Sequence, residues 1–206
     1  MGMMFLIVGV VLALAILVSV PRIPGAAFKG AAAGFALLLV IAGLLLSSAV
    51  YVSADRVGIV SKNLFGSKLK DGKIIAIDGE MGVQAAVLPP GWHWGYWPIV
   101  FSVETVPLTE VPSDQVGLIE AKDGLPLDPG QLFAPEYERA EFQKMLDAEY
   151  FLTDGRGRKG PQSSVLTPGK YRINTELFTI TMVPQTEVAQ GEVAVLKANF
   201  GSEPTI

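Results

Sequence analysis

The stretch Gly30–Val52, GAAAGFALLLVIAGLLLSSAVYV, decides the fold of this chain, because it runs for 23 residues without a charged side chain. A bilayer hydrocarbon core about 30 Å thick needs about 20 helical residues. Lipid offers no hydrogen-bond partner to a bare backbone, so a segment that crosses it must be helical. The sequence therefore predicts a membrane-spanning helix here.

A second apolar stretch precedes it. Met3–Val20 is 18 residues long and uncharged. The connector Pro21–Lys29 contains two prolines and a glycine, which favour a tight helical hairpin with both chain ends on one side. The alternative is a cleaved signal peptide, but no Lys or Arg precedes the apolar run and Val18-Ser19-Val20 is a poor cleavage site.

The charges beside the two apolar segments bear on orientation. The connector carries Arg22 and Lys29, whereas four positive residues follow the second segment: Arg56, Lys62, Lys68 and Lys70. Positive charges favour the cytoplasmic side of a membrane. We therefore expect a multi-pass membrane protein with two helices, whose soluble part faces the cytoplasm.

Small residues recur every four positions at the start of the second segment, at Ala26, Gly30 and Gly34. Such a face lets helices approach closely, either within the hairpin or between neighbouring subunits. Small residues are also common in membrane helices generally, so the pattern predicts helix packing without selecting the partner.

Composition excludes several classes of function. The 206 residues carry a net charge of −4 with no basic block, so nucleic acid is not an expected partner. There is no cysteine and a single histidine, so neither a thiolate nor a multi-histidine metal site is available. We expect no catalytic residue, cofactor or metal.

The remainder of the chain repeats itself. Gly82–Gly91 and Gly160–Gly169 share the pattern G-x-Q-x-x-V-L-x-P-G at an offset of 78. Val106–Val111 then matches Val183–Val188 at an offset of 77. Two motifs at nearly the same offset predict two related units, and their short β-branched and aromatic runs between turn residues predict strands.

A third motif gives the order of the repeat. Val57–Val60 resembles Val116–Ile119 at an offset of 59, and Val193–Leu196 begins the pattern again. The second unit therefore holds 19 extra residues, where a helix is expected near 135–151. Its apolar stripe has helical spacing and consists of Phe142, Met145, Leu146 and Tyr150.

These observations predict an α+β membrane protein with four parts. Residues 1–52 form a two-helix transmembrane anchor, residues 53–115 a first β unit, and residues 116–190 a second β unit with one inserted helix. Residues 191–206 are expected to start a further unit, with a strand at Glu192–Ala198, in a parent protein that continues beyond the chain.

One loop concentrates the aromatic residues: Trp92, Trp94, Tyr96 and Trp97 lie within residues 91–98. Trp and Tyr favour membrane interfaces, where one end of the ring is apolar and the other is wet. The loop therefore predicts contact with the membrane interface or with another subunit; the alternative is an aromatic core cluster.

Two further motifs are weak candidates for a phosphate-binding loop and for a catalytic base. Asp154–Gly160 is glycine-rich and basic, but it lacks the G-K-[ST] ending of a phosphate-binding loop. His93 would be the base of a hydrolase, yet the chain has no G-x-S-x-G motif. A solvated loop and a structural histidine are the favoured interpretations.

Several motifs in order resemble those of bacterial flotillin-like proteins, members of the SPFH or band 7 family of stomatin, prohibitin and flotillin. They are Val57-Gly58-Ile59-Val60, Gly79-Glu80-x-Gly82-x-Gln84, Leu88-x-Pro90-Gly91-Trp92-His93, Lys159-Gly160-Pro161-Gln162 and Val165-Leu166-Thr167-Pro168-Gly169-Lys170-Tyr171-Arg172-Ile173-Asn174. The likeness runs from about Val57 to the chain end, and it marks the chain as the N-terminal portion of such a protein.

The resemblance implies a scaffold without catalysis of its own, which forms large homo-oligomers on a lipid bilayer and organises membrane microdomains and client membrane proteins. Members usually continue into a coiled coil that drives assembly. The two-helix anchor departs from members held by one segment or by lipid tails. A regulatory partner of a membrane protease and, less favoured, a membrane-bound hydrolase are the alternative functions.

Overall fold

The computed structural model describes residues 2–195 and begins with two antiparallel helices. Helix α1 spans Gly2–Ser19 and α2 spans Ala26–Ser47, with one 3₁₀ turn at Val20–Arg22 between them. Both helices are long and apolar enough to cross a membrane. The predicted helical pair is therefore present, although α2 begins four residues before Gly30 and ends at Ser47.

The first β unit follows after two residues. Its central strand β2 lies between β4 and β6 in a four-stranded sheet ordered β3-β4-β2-β6, and β1 pairs with β5 in a separate antiparallel ribbon. The strands are β1 (Val50–Val52), β2 (Arg56–Lys62), β3 (Ile75–Ala76), β4 (Gly82–Leu88), β5 (Gly91–His93) and β6 (Phe101–Pro107).

The second β unit has the same plan. Its central strand β8 lies between β11 and β9, and β7 pairs with β10. Its elements are β7 (Thr109–Val111), β8 (Gln115–Ala121), α3 (Phe142–Met145), α4 (Ala148–Leu152), β9 (Gly160–Leu166), β10 (Gly169–Tyr171) and β11 (Phe178–Pro184).

The pairing register of the two sheets is the same at equivalent positions. Gly58 pairs with Leu88 in the first sheet, and Gly117 pairs with Leu166 in the second, at offsets of 59 and 78. Both pairings break register once, at the same place. The strand on the other side of each central strand, β6 or β11, also pairs in the same register. The first sheet aligns Gly58 with Thr105, and the second aligns Gly117 with Met182.

A glutamine braces the same turn in each unit. The Gln84 side-chain N–H₂ donates to the carbonyls of Glu80 and Gly82, both at 2.9 Å. The Gln162 side chain donates to the carbonyls at the same spacing, Arg158 at 2.8 Å and Gly160 at 2.7 Å. This shared brace explains why the G-x-Q pattern occurs in both units.

Close packing requires glycine in both central strands. A Cβ on Gly58 would lie 3.0 Å from Leu88 Cβ, and a Cβ on Gly117 would lie 2.8 Å from Ile180 Cγ2. We call the face of each sheet that carries this glycine its inner face. The inner face of the second sheet belongs to the main core, whereas that of the first forms a small cluster around Val52, Val60 and Leu88.

Two buried polar side chains join the units. Asn174 donates to the carbonyls of Gln84 at 2.9 Å and Ala85 at 3.0 Å, which lie on β4 of the first unit. It also accepts from the backbone N–H of Glu176 at 3.0 Å and of Leu177 at 3.4 Å. Asn174 is therefore an integral part of the contact between units.

Asp123 is the second such residue, and its side chain is 2% exposed. It accepts from the backbone N–H of Ile74 at 2.8 Å and of Ile75 at 3.1 Å, and it lies 3.3 Å from Lys73 Nζ. Burial alone would raise the pKa of Asp123, but these hydrogen bonds, one from Gly124, and the Lys73 charge lower the pKa below its usual value.

The inserted helix differs from the prediction of one helix near 135–151. It is two short helices, α3 and α4, and the side chain of Asp147 caps the second by accepting from Glu149 and Tyr150. The residues before 142 follow β9 instead, because Tyr137 OH donates to Gln162 Oε1 at 2.7 Å. Burial raises the pKa of Tyr137 to about 12. Tertiary hydrogen bonds thus replace the first half of the predicted helix.

The unit boundaries also move. Strand β1 lies within residues 1–52, which were assigned to the anchor, yet it pairs with β5 of the first unit. Strand β7 lies within residues 53–115 but pairs with β10 of the second unit. Both units therefore begin earlier than predicted. Of the strand predicted at Glu192–Ala198, residues 192–195 form no strand and residues 196–198 lie outside the described part.

Candidate functional site

The aromatic loop is attached directly to the end of α2. The backbone N–H of Tyr96 donates to the Ser48 carbonyl at 3.0 Å, and that of Gly95 donates to Ser48 Oγ at 3.3 Å. The β1–β5 ribbon adds the pairings of Val50 with His93 and of Val52 with Gly91. These bonds hold the loop where the two apolar helices end.

Of the four aromatic residues predicted to form a contact surface, three have exposed rings and one packs against a neighbouring ring. Trp92, Trp94 and Trp97 are 65%, 59% and 38% exposed. Tyr96 instead packs edge-on against Phe101, with ring centroids 5.5 Å apart, and its burial raises its pKa. The core-cluster interpretation therefore fits Tyr96 alone, and the three tryptophans face outward.

Exposed apolar residues beyond the predicted loop extend the patch. Phe65 is 84% exposed and has a positive φ of 60°, a conformation that is uncommon outside glycine. Phe65, Trp97 and Ile99 line a hollow of 390 Å³ together with residues of α1 and α2, including Leu6 and Leu44. We call Tyr51, Leu64, Phe65, Trp92, Trp94, Trp97 and Ile99 the aromatic collar.

The equivalent turn of the second unit shows how unusual the collar is. In the first unit, the N–H groups of Val100 and Phe101 both donate to the Trp97 carbonyl, at 2.9 and 2.8 Å. In the second, those of Leu177 and Phe178 donate to the Asn174 carbonyl, at 3.1 and 2.9 Å. The same turn is thus apolar and exposed beside the helices, but polar and buried between the units.

The predicted small-residue face does not form the hairpin contact. A Cβ on Gly30 or Gly34 would meet no atom within 4 Å. The close approach lies elsewhere, because a Cβ on Gly9 would be 2.9 Å from the Leu39 carbonyl oxygen. Contact of Ala26, Gly30 and Gly34 with a neighbouring subunit stays a prediction.

The motifs that suggested catalysis make structural contacts. His93 Nε2 lies 2.7 Å from the Pro89 carbonyl oxygen. In the basic loop, Arg158 donates to Asp128 at 2.8 Å and to the Pro126 carbonyl at 2.8 Å. Within residues 2–195, no cluster of three or more His, Asp or Glu side chains could hold a metal ion.

No protein-family model, curated protein or solved structure matches the chain. The collar and the helical pair beside it are consequently interpreted from their own chemistry. An exposed patch that combines tryptophan, phenylalanine and isoleucine next to two apolar helices is typical of a membrane interface or of a contact with another subunit.

Proposed function

We propose that this chain is a membrane-anchored, non-catalytic scaffold of the flotillin or SPFH type. In this proposal α1 and α2 span the bilayer as a multi-pass anchor, and the collar sits among the lipid headgroups. Many copies assemble into a homo-oligomer that organises a membrane microdomain and its client proteins.

The observation that carries the proposal is the junction between the helices and the first unit. Only Ser48 and Ala49 separate the end of α2 from β1. Helices that are apolar on nearly every side, with most of their large side chains exposed, need a nonaqueous environment. The collar beside them supplies aromatic rings at the depth where a bilayer meets water.

The repetition of the two units supports the family assignment. The motifs that resemble SPFH proteins fall on equivalent elements: V-G-I-V on the central strand, G-x-Q on the braced turn, and L-x-P-G at the turns from β4 to β5 and from β9 to β10. A duplication explains why register, brace and close-packed glycine recur together. The charge difference across the hairpin favours the cytoplasm for both units.

The membrane contact is tested with the protein's own fluorophores. All three tryptophans lie within residues 92–97, so selectively excited tryptophan fluorescence reports on the collar alone. We expect lipids brominated near the top of their acyl chains to quench this fluorescence in reconstituted vesicles, and aqueous iodide to quench it weakly. Strong iodide quenching without bromine quenching would contradict the proposed depth.

Assembly needs a separate experiment. The full-length protein, purified in mild detergent, is expected to elute as a large oligomer by size exclusion with light scattering. A monodisperse monomer at every concentration would count against the scaffold. A membrane protease among co-purified proteins would favour the alternative of a regulatory partner, and a His93→Ala variant with lost hydrolase activity would favour an enzyme.

A further inference from the structure

The inner face of the first sheet borders an open groove with a volume of 1020 Å³. The groove runs from Phe5 and Leu46 at the helix ends, past Trp94 and Phe101, to Val103 and Thr105 on β6. None of the residues that line it is charged. Its volume matches the upper end of small-molecule sites, which reach about 1,000 Å³.

In the second unit, the equivalent inner face is covered by a helix. There, Phe151 of α4 packs edge-on against Phe178 with ring centroids 5.0 Å apart, and Phe178 is buried. Phe178 occupies the position of Phe101, since β6 and β11 pair with their central strands in the same register. The inserted segment that carries α4 has no counterpart in the first unit, so the equivalent apolar face borders a groove.

We propose that this groove binds an acyl chain of a membrane lipid. The inference rests on the proposed membrane anchoring, because Phe5 and Leu46 make the groove continuous with the surface of the helical hairpin. Its uncharged lining suits methylene groups and offers no ion pair to a charged ligand. The exposed rings of Trp92 and Trp94 lie at its rim, where they would meet the polar end of the lipid.

Photo-crosslinking tests this site. The full chain is reconstituted into phosphatidylethanolamine–phosphatidylglycerol vesicles that contain a phosphatidylethanolamine with a diazirine at the end of one acyl chain. After irradiation and digestion, mass spectrometry locates the adducts. We expect adducts on β6 in addition to those on α1 and α2.

Matched variants separate groove binding from general contact with lipid. Thr105→Phe narrows the groove and is expected to lower the β6 adducts at least about tenfold, the factor that corresponds to two lost methylene contacts. Adducts on α1 and α2 should not change. Thr181→Phe, at an exposed position of β11, is the control and should change neither. Ala49→Phe, at another residue that lines the groove, replaces Thr105→Phe if circular dichroism shows that the latter is misfolded.

Four results would overturn the inference, and they are distinguishable. Adducts on α1 and α2 with none on β6 would reject the groove site and leave the anchor intact. Adducts absent from α1 and α2 as well would reject the anchor itself. Unchanged β6 adducts in Thr105→Phe would show that these adducts come from general contact with lipid. Crosslinks from a photoreactive residue at position 105 to another copy would assign the groove to a second copy of the chain.

Discussion

Replacing Asn174 by alanine is expected to loosen the contact between the two β units. The change removes both N–H groups that bond the carbonyls of Gln84 and Ala85, and these backbone groups lie at a buried contact. It also removes the oxygen that accepts from Glu176 and Leu177. No other side chain of the described residues is seen to bond these two carbonyls.

The magnitude follows from these bonds. A typical hydrogen bond contributes about 1 kcal/mol net, and a buried group left without a partner costs about 1–3 kcal/mol. Two carbonyls left without a donor therefore predict a destabilisation of about 2–6 kcal/mol. Because small domains are stable by only about 5–15 kcal/mol, this is a large share of the total.

Amide hydrogen exchange, read by mass spectrometry on the full chain in detergent, measures the effect locally. A loss of 2 kcal/mol corresponds to about 30-fold faster exchange through opening of β4 and α4. Exchange in α1 and α2 should be unchanged. Asn63→Ala is the control, because its amide makes one long, exposed contact of 3.5 Å to Ser102 Oγ.

Equal exchange in Asn174→Ala and Asn63→Ala would refute the role assigned to Asn174. Asn174→Asp is a second test, since it keeps the acceptor oxygen but points a carboxylate at the two carbonyls. It should destabilise the protein at least as much as alanine does. A milder effect would show that the lost donors are not the cause.

Three further predictions concern other parts of the fold. Folding lowers the pKa of Asp123, so its carboxylate stabilises the fold at pH values above the usual aspartate pKa, and this stabilisation is lost as the pH falls through the lowered pKa. Asp123→Asn should therefore make the melting temperature depend less on pH in the acid range. Gly117→Ala should cost about 1–3 kcal/mol in thermal unfolding, since its Cβ would overlap Ile180, and wild-type stability would contradict the close packing. Gly9→Leu should separate the helices, measured by disulfide formation between cysteines introduced in α1 and α2, whereas Gly34→Leu should leave crosslinking unchanged.

Periodicity and repetition predicted the long elements well. The two uncharged runs are long enough to form helices in any fold, and α1 and α2 lie where these runs predicted them. The central strands β2 and β8 lie where the V-G motif placed them, because their alternation and their glycines reflect packing within one unit.

Short or context-dependent elements could not be predicted in this way. Strands β1 and β7 have three residues each, too few for a periodic signal, and their partners β5 and β10 lie about 40 to 60 residues away. The inserted helix was predicted to start near 135, because the sequence does not show that Tyr137 is bonded to β9. The sequence pattern identified the tryptophans of the collar as surface candidates, but it did not identify Phe65. Only the chain path that brings Phe65 beside Leu44 reveals it.

The short junction after α2 and the buried bonds of Asp123 and Asn174 have a mechanical consequence. Only Ser48 and Ala49 lie between α2 and β1, so no flexible linker separates the helical pair from the first unit. If the proposed scaffold binds a client through the second unit, the client would stay at a set distance from the bilayer. A tilt of the helices would then move that client sideways.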